Sequence, residues 1–506
     1  MEERNQPARP RRRRRKPTFK DYLPVIILLI VALIAIVCVV FAVISLIKHF
    51  TVTLANPTPN PTTTQQQLQN TTGNTTLPLR PTDPTTKPQS AIDAEVTALI
   101  AEADKVAAGY NYDKAIEMLK ASEYFGNDKR LGEKVVEYTR TKGTMVRYPL
   151  GNNVTHIFFH SLIVDTSRAF DGDEDQTGYN LYMTTVDEFK AILEEMYKND
   201  YVLVSPYDVA YEYIDENGEA KFKKGDIYLP SGKKPFLMSQ DDVNYYGYMI
   251  GTGSGKDHTP VFADTNGDGF AHKIVIDADG YPKCEYMDAN GNIHVGDYDL
   301  VPILESFIQE HPDFSYRGAR AILGVTGYEG VFGYRTKPGY NVKNEGVMSM
   351  EDWNKEVEQA KAVAECLKEH GWILASHSYG HPRYGDLPAQ RLDEDSTKWE
   401  NTVQTIIGDT DVILFPHGSD IGSWRGYEQT NEKFQILYED GYRYFFNVDN
   451  TQYWNQYGEN YFRGGRRNLD GYRMYHYPNT MSDLFDVEKI FDPTRPTPVP
   501  NLSGSM

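Results

Sequence analysis

Cysteine is nearly absent from this chain of 506 residues: only Cys38, Cys284 and Cys366 occur. Three thiols cannot make a disulfide framework, which excludes the small stapled folds. Cys38 lies in an apolar run, and the spacing leaves open whether Cys284 and Cys366 pair. Basic charge is also scarce. The net charge is −19, and residues 1–50 hold ten Lys and Arg against three Asp and Glu, so the rest carries −26. That argues against nucleic acid or another polyanion as partner. A neutral or polycationic sugar polymer is compatible, and acidity would equally keep an exported domain in solution. What the chain has in quantity is tyrosine, 36 residues, within a 40% hydrophobic composition that can build a large core.

Long apolar runs are lacking too, with one exception. Leu23 to Ile47 carries no charge over 25 residues, enough to span a bilayer. Lys48 follows directly, so an uncleaved anchor is expected rather than a signal peptide. Arg11 to Lys16 should keep residues 1–22 cytoplasmic and the bulk of the chain outside the cell membrane. Residues 48–90 are rich in Thr and Pro and read as an extended linker. Residues 91–150 show helical periodicity and are expected as a helical hairpin segment. Gly109 to Ile116 is similar to half of a tetratricopeptide unit, but no repeat array follows, so a hairpin packed on its neighbour is favoured. Residues 151–491 alternate apolar strands with helical patterns, an α/β domain with an insertion at about 251–299. Residues 492–506 read as a Pro-rich tail.

Two short strings suggest one metal ion. Ser239-Gln240-Asp241-Asp242 ends one apolar strand, and His377-Ser378-Tyr379-Gly380-His381 follows another. Two imidazoles and a carboxylate can fix a divalent cation and leave positions open for water and substrate. Adjacent Asp241 and Asp242 would point to opposite faces of a straight strand, so a bend after Gln240 is required. A second pair, His156 and His160, brackets Ile157-Phe158-Phe159. As a strand that spacing separates the rings by ~13 Å, too far to share an ion. In the insertion, Asp264 to Gly269 has the spacing of half a calcium loop, but Val275 stands where an EF-hand needs Glu. A turn is the plainer reading there, and Ile276–Gly280 and Met287–Gly291 read as hairpin turns.

These blocks, in this order, resemble the polysaccharide deacetylases, carbohydrate esterase family 4. The resemblance runs from about Val154 to Tyr477. Besides the two strings it rests on Ile157-Phe158-Phe159-His160-Ser161, Phe415-Pro416-His417-Gly418, Asn447-Val448-Asp449 with Trp454, and Met474-Tyr475-His476. It implies a distorted (β/α)7 barrel, preceded here by the transmembrane helix and the helical segment. It implies Asp242, His377 and His381 as ligands of a divalent metal, zinc first, with cobalt, nickel or manganese as alternatives. It further implies Asp241 as general base and His476 as the acid that protonates the leaving amine. Pro416 and the backbone N–H of His417 would serve the oxyanion, and Met474 would line the acetyl pocket. The implied activity is removal of N-acetyl groups from an amino-sugar polymer of the cell envelope, peptidoglycan foremost. An O-acetyl polysaccharide esterase and a catalytically weak glycan-binding protein are the alternatives. Leu414 stands where many members have an arginine that tunes the base, so that partner is missing or comes from elsewhere.

Overall fold

The computed structural model describes residues 87–250, 267–340, 348–449 and 451–502. The chain divides into two units, Met1–Thr85 and Thr86–Met506, and the first lies outside the described residues. So do the expected anchor Leu23–Ile47, the segment before it and nearly all of the linker. Among the described residues no helix is long and apolar enough to cross a membrane.

Seven strands carry the second unit: β1 Thr155–Phe159, β2 Lys234–Gln240, β3 Ile322–Val325, β4 Ile373–Ser376, β5 Val412–Leu414, β6 Tyr444–Val448 and β7 Phe462–Asn468. Each pairs in parallel with the next. β7 pairs back onto β1, Arg467 opposite Ile157, and closes the ring. The alternation of a strand explains the sorting of side chains. Leu237, Ile322, Val412, Tyr444 and Phe462 gather in one buried cluster. Their neighbours Phe236, Met238 and Leu323 join a larger cluster with the surrounding helices. A strand buried on both faces must read as a near-continuous apolar run, as β2 and β5 do.

Three helices precede the barrel: α1 Gln89–Ala108, α2 Tyr112–Ala121 and α3 Lys129–Lys142. They have a small core of their own, including Val96, Ala103, Leu119 and Leu131. They also dock on the barrel domain. The Tyr110 hydroxyl donates to the Asp313 carbonyl at 2.8 Å, and the Arg317 N–H donates to the Gly109 carbonyl at 2.7 Å. Around the barrel run α4 Val186–Lys198, α5 Leu300–Glu310, α6 Met350–Glu369, α7 Ala389–Trp399 and α8 Glu432–Glu439, with a short α9 Gly471–His476 near the end. Thr185 and Glu188 close α4 with a reciprocal capping box.

The insertion forms a three-stranded antiparallel sheet, Ala271–Ile276, Pro282–Met287 and Ile293–Gly296. Its turns are the two expected hairpins, with Gly280 and Gly291 at φ of 85° and 81°. Cys284 and Cys366 are both buried free thiols. Of the suspected calcium loop, Asp264 to Asn266 lie outside the described residues. Asp268 is buried, accepts from the Tyr179 hydroxyl at 2.5 Å, and converges with Asp173 and Asp175. Burial, with those acidic neighbours, pushes its carboxyl up to about 6.

The chain end requires a correction. Residues 492–502 are not a loose tail. Arg495 is fully buried against Glu188, with Nε 2.6 Å from Oε1, and Thr185 donates to Asp492 at 3.0 Å. Polar composition misled because it hides one charge-complementary anchor. Arg495→Ala would strand the Glu188 carboxylate in the interior, and the expected loss is ~3–5 kcal/mol of unfolding free energy. Urea titration of the purified domain measures it; a loss below about 1 kcal/mol would mean that the C-terminal segment is dispensable.

Candidate metal centre

The ends of β2, β4 and β5 bring the two sequence strings together. Ligand atoms of Asp242, His377 and His381 all lie within 4.8 Å of one another. The bend required after Gln240 is present: Asp242 has φ of 56°, in the left-handed region that a residue with a Cβ rarely enters. Ser378, His381 and His417 share that conformation, at 63°, 55° and 54°. Such backbone costs of order 1–3 kcal/mol per residue and persists where the surrounding fold enforces it. Here it turns Asp242 and His381 toward the same point.

Hydrogen bonds fix the ligands. His377 Nδ1 donates to the Leu414 carbonyl at 2.7 Å, which leaves Nε2 as the atom able to bind a metal. Tyr246 donates to Asp242 Oδ1 at 2.7 Å and meets Thr326 Oγ1 at 2.8 Å. Asp395 accepts from the backbone N–H groups of Tyr379 and Gly380, which secures the loop between the two histidines. One hard carboxylate and two imidazole nitrogens, held by such second contacts, are a donor set that fits a divalent transition ion. His156 and His160 are not in this trio.

Asp241 sits beside it, and its missing partner is Arg466. The arginine comes from β7 and is fully buried, with Nη1 2.5 Å from Asp241 Oδ1. Burial would raise the Asp241 carboxyl, but the Arg466 guanidinium and the His377 imidazole outweigh it and hold the carboxyl well below the usual range. Room for the carboxylate depends on Gly324, where a Cβ would stand 2.9 Å from Leu414 Cδ1 and 3.4 Å from Asp241 Oδ1. Below the pair the polar chain continues. Ser239 Oγ is 3.3 Å from Arg466 Nη1 and 3.0 Å from His156 Nε2. Burial, with the Arg466 charge, drives His156 well below its ordinary value and keeps it neutral.

One residue expected here, His476, makes its contacts at the chain end. His476 directs Nε2 at the carbonyls of Val499 and Pro500, 3.0 and 3.3 Å away, and its ring packs on Tyr472 and Tyr475. Met474 is buried in the main core with Met481 and Leu484. The ordered chain end takes up the His476 imidazole. The histidine near the site is His160, just past β1. It acts electrostatically on Asp241, Asp242, His381 and the buried Asp470. Its Nδ1 lies 3.2 Å from the Tyr182 carbonyl. Pro416 is buried at the turn after β5, and the exposed His417 ring packs edge-on against His381, centroids 4.4 Å apart. Of these, Arg466 had a signal in the sequence: Arg466-Arg467 inside an otherwise strand-like run. His160 was visible as half of a pair that geometry had set aside and within the Ile157–Ser161 block of the resemblance, but no role was attached to it.

No family model matches the chain, and no curated protein does. Solved structures do. The chain is similar to a Streptococcus pyogenes deacetylase, PplD, in complex with acetate, at 13% identity and a TM-score of 0.32, over 68% of this chain and 100% of that one. It is also similar to BC0361, a polysaccharide deacetylase from Bacillus cereus, at 12% identity and a TM-score of 0.31, over 67% and 70% of the two chains. At such values the closed ring and the metal trio stand on this chain's own geometry.

The ligand set predicts that the His377→Ala/His381→Ala variant loses stoichiometric metal in elemental analysis; full retention would remove this assignment. The Asp241–Arg466 pair predicts a pH effect. In the wild type the lowered Asp241 pKa stabilises the fold above the ordinary carboxylate range and loses that contribution as pH falls. In Arg466→Met, burial is left as the main influence and pushes the carboxyl up, so its penalty is relieved as pH falls. The stability gap between the two metal-stripped proteins should be ~3–5 kcal/mol at pH 7 and narrow markedly by pH 4. A gap independent of pH in urea titrations would contradict the pairing.

Proposed function

We propose that the chain is a metal-dependent hydrolase that removes N-acetyl groups from an amino-sugar polymer of the cell envelope, with peptidoglycan the leading substrate. The observation that carries this reading is one carboxylate held ionised by Arg466, next to a separate carboxylate within an Asp–His–His trio. A divalent ion held by Asp242, His377 and His381, zinc by preference, supplies Lewis-acid polarisation of the amide carbonyl and lowers the pKa of water. Asp241 accepts the proton of the attacking water. The Arg466 charge keeps that carboxylate ready by holding Oδ1, while Oδ2 lies 3.8 Å from His377 Nε2. The backbone N–H of His417, in the turn after Pro416, is the chain's donor for the developing oxyanion, a contribution of typically ~3 kcal/mol. His160 takes the role first given to His476 and delivers a proton to the leaving amine. With Arg466 in place of the absent third-motif arginine, the main support for a catalytically weak binding protein is gone.

The expected anchoring by Leu23–Ile47, with the catalytic unit outside the cell, belongs to the same proposal. Protease added to intact cells should remove the barrel domain; protection until lysis would contradict it.

The chemistry separates by substitution. Asp241→Asn should keep the metal and lose ~10²–10⁴-fold in turnover, the usual effect of deleting a positioned acid or base. His160→Ala should also keep the metal and should impair amide cleavage more than cleavage of an activated ester, whose leaving group needs a proton less. His476→Ala should release acetate at close to the wild-type rate. The measurement is acetate release from N-acetylated glycan fragments and from an aryl ester. If His476→Ala is the crippled variant and His160→Ala is not, the donor assignment is wrong.

A further inference from the structure

Beside the metal centre lies a cavity of about 510 Å³, within the ~300–1,000 Å³ common for ligand sites. Gly380 and Pro382, the two neighbours of His381, line it, so a molecule seated there is one residue from a metal ligand. Tyr328 lines it as well and is 44% exposed.

The charges of the wall are unbalanced once their contacts are followed. Asp395 is committed: its oxygens accept from Tyr379 N, Gly380 N and the Tyr384 hydroxyl at 2.8–2.9 Å. Glu394 is paired with Arg391 at 2.9 Å. Lys337 and Lys398 also line the cavity, and among the described residues neither has a salt-bridge partner. Lys398 is held in place, with Nζ 3.9 Å from the centre of the Tyr379 ring. The described lining thus holds three basic side chains, Lys337, Arg391 and Lys398, against two acidic ones, Glu394 and Asp395, a surplus of one positive charge in a chain that carries −26 beyond its first 50 residues.

We propose that this cavity is a subsite for a sugar unit bearing a single anionic group, carboxylate or phosphate, adjoining the unit that is deacetylated. The inference rests on the deacetylase reading and narrows its substrate class. A densely charged polymer would still be repelled by the acidic surface. One anionic substituent on an otherwise neutral glycan finds a favourable position at Lys337 and Lys398, and the chain is thereby oriented across the metal centre. Tyr328 supplies the apolar contact to the ring. Lys337 and Lys398 touch neither the acetyl group nor the ion; they act on binding and on register.

The test uses matched N-acetylated oligosaccharides that are neutral, carboxylate-bearing or phosphate-bearing, with acetate release and calorimetric binding as separate readouts. The wild type should show a KM about tenfold lower for an anionic oligosaccharide than for the neutral one, the effect of one good charge-assisted hydrogen bond. The advantage should shrink with added salt. Lys337→Ala/Lys398→Ala should lose it while keeping kcat on the neutral substrate, and Lys337→Arg/Lys398→Arg should restore most of it. The better of the two anionic substrates identifies the group. Equal KM values for neutral and anionic substrates in the wild type, or a preference that survives in the alanine variant, would overturn the subsite. If no substrate releases acetate, the deacetylase reading fails. Calorimetry still decides the subsite, through tighter binding of the anionic oligosaccharide that the alanine variant loses.

Discussion

A full positive charge sits inside the barrel with no solvent around it. The Arg466 side chain is completely buried, and its compensation comes from Asp241, the Asn447 carbonyl and Ser239, with Phe158 beneath the guanidinium at 4.6 Å. A buried ion pair is not a source of stability in itself, because desolvation of both charges offsets their attraction. Removing one partner is what the fold cannot tolerate. The upper barrel is therefore arranged around this pair. Gly324 omits a side chain to make room for Asp241, Gly464 and Gly465 keep β7 slim on either face, and Ser239 turns its hydroxyl inward. Strand closure makes the contact possible at all, since Arg466 and Asp241 are 225 positions apart and meet only because β7 returns to β1 beside β2.

The left-handed residues extend the same logic to the loops. Asp242, Ser378, His381 and His417 each hold a backbone angle that a free chain would leave. The strain is concentrated where three strand ends stop and the chain must reverse onto the mouth. Asp395 grips one reversal through two backbone N–H groups, and Tyr246 with Thr326 grips the carboxylate of another. A metal trio on relaxed loops would converge only part of the time. On these loops the convergence is built in before any ion arrives, which is what a transition-metal site needs from its second contacts.

Much of this could be read from residues alone, and the failures have definite causes. Asp241, Asp242, His377 and His381 were legible because each adjoins an apolar strand, and strand ends meet at one mouth of a parallel barrel. The bend after Gln240 followed from the two-residue period of a strand. The role of Arg466 did not, because an arginine in a strand normally reads as an edge or surface residue, and only ring closure makes its interior position sensible. His476 was misplaced because spacing along a sequence says nothing about where an ordered terminus lies. Here Arg495 anchors that terminus to Glu188, and its carbonyls at Val499 and Pro500 take up the imidazole. The segment after Asp492 looked structureless for the same reason: a single buried arginine does not alter its composition.

The second histidine pair shows how a correct argument can stop one step early. His156 and His160 lie too far apart along β1 to share an ion, and neither belongs to the Asp242–His377–His381 trio. The distance itself carries information. A strand that runs up the barrel wall delivers residues four apart to different levels of the interior. His156 stops at the lower level, neutral, bonded through Ser239 to the guanidinium that governs the base. His160 follows the end of the strand and acts electrostatically on Asp241, Asp242 and Asp470. One strand thus serves the site twice, once from below through a hydrogen-bonded chain and once from above through charge. This follows from the strand order, because β1 stands between β2 and β7, the two strands that lead to Asp241 and carry Arg466. Any residue that β1 lifts just past its end arrives beside the base by topology alone.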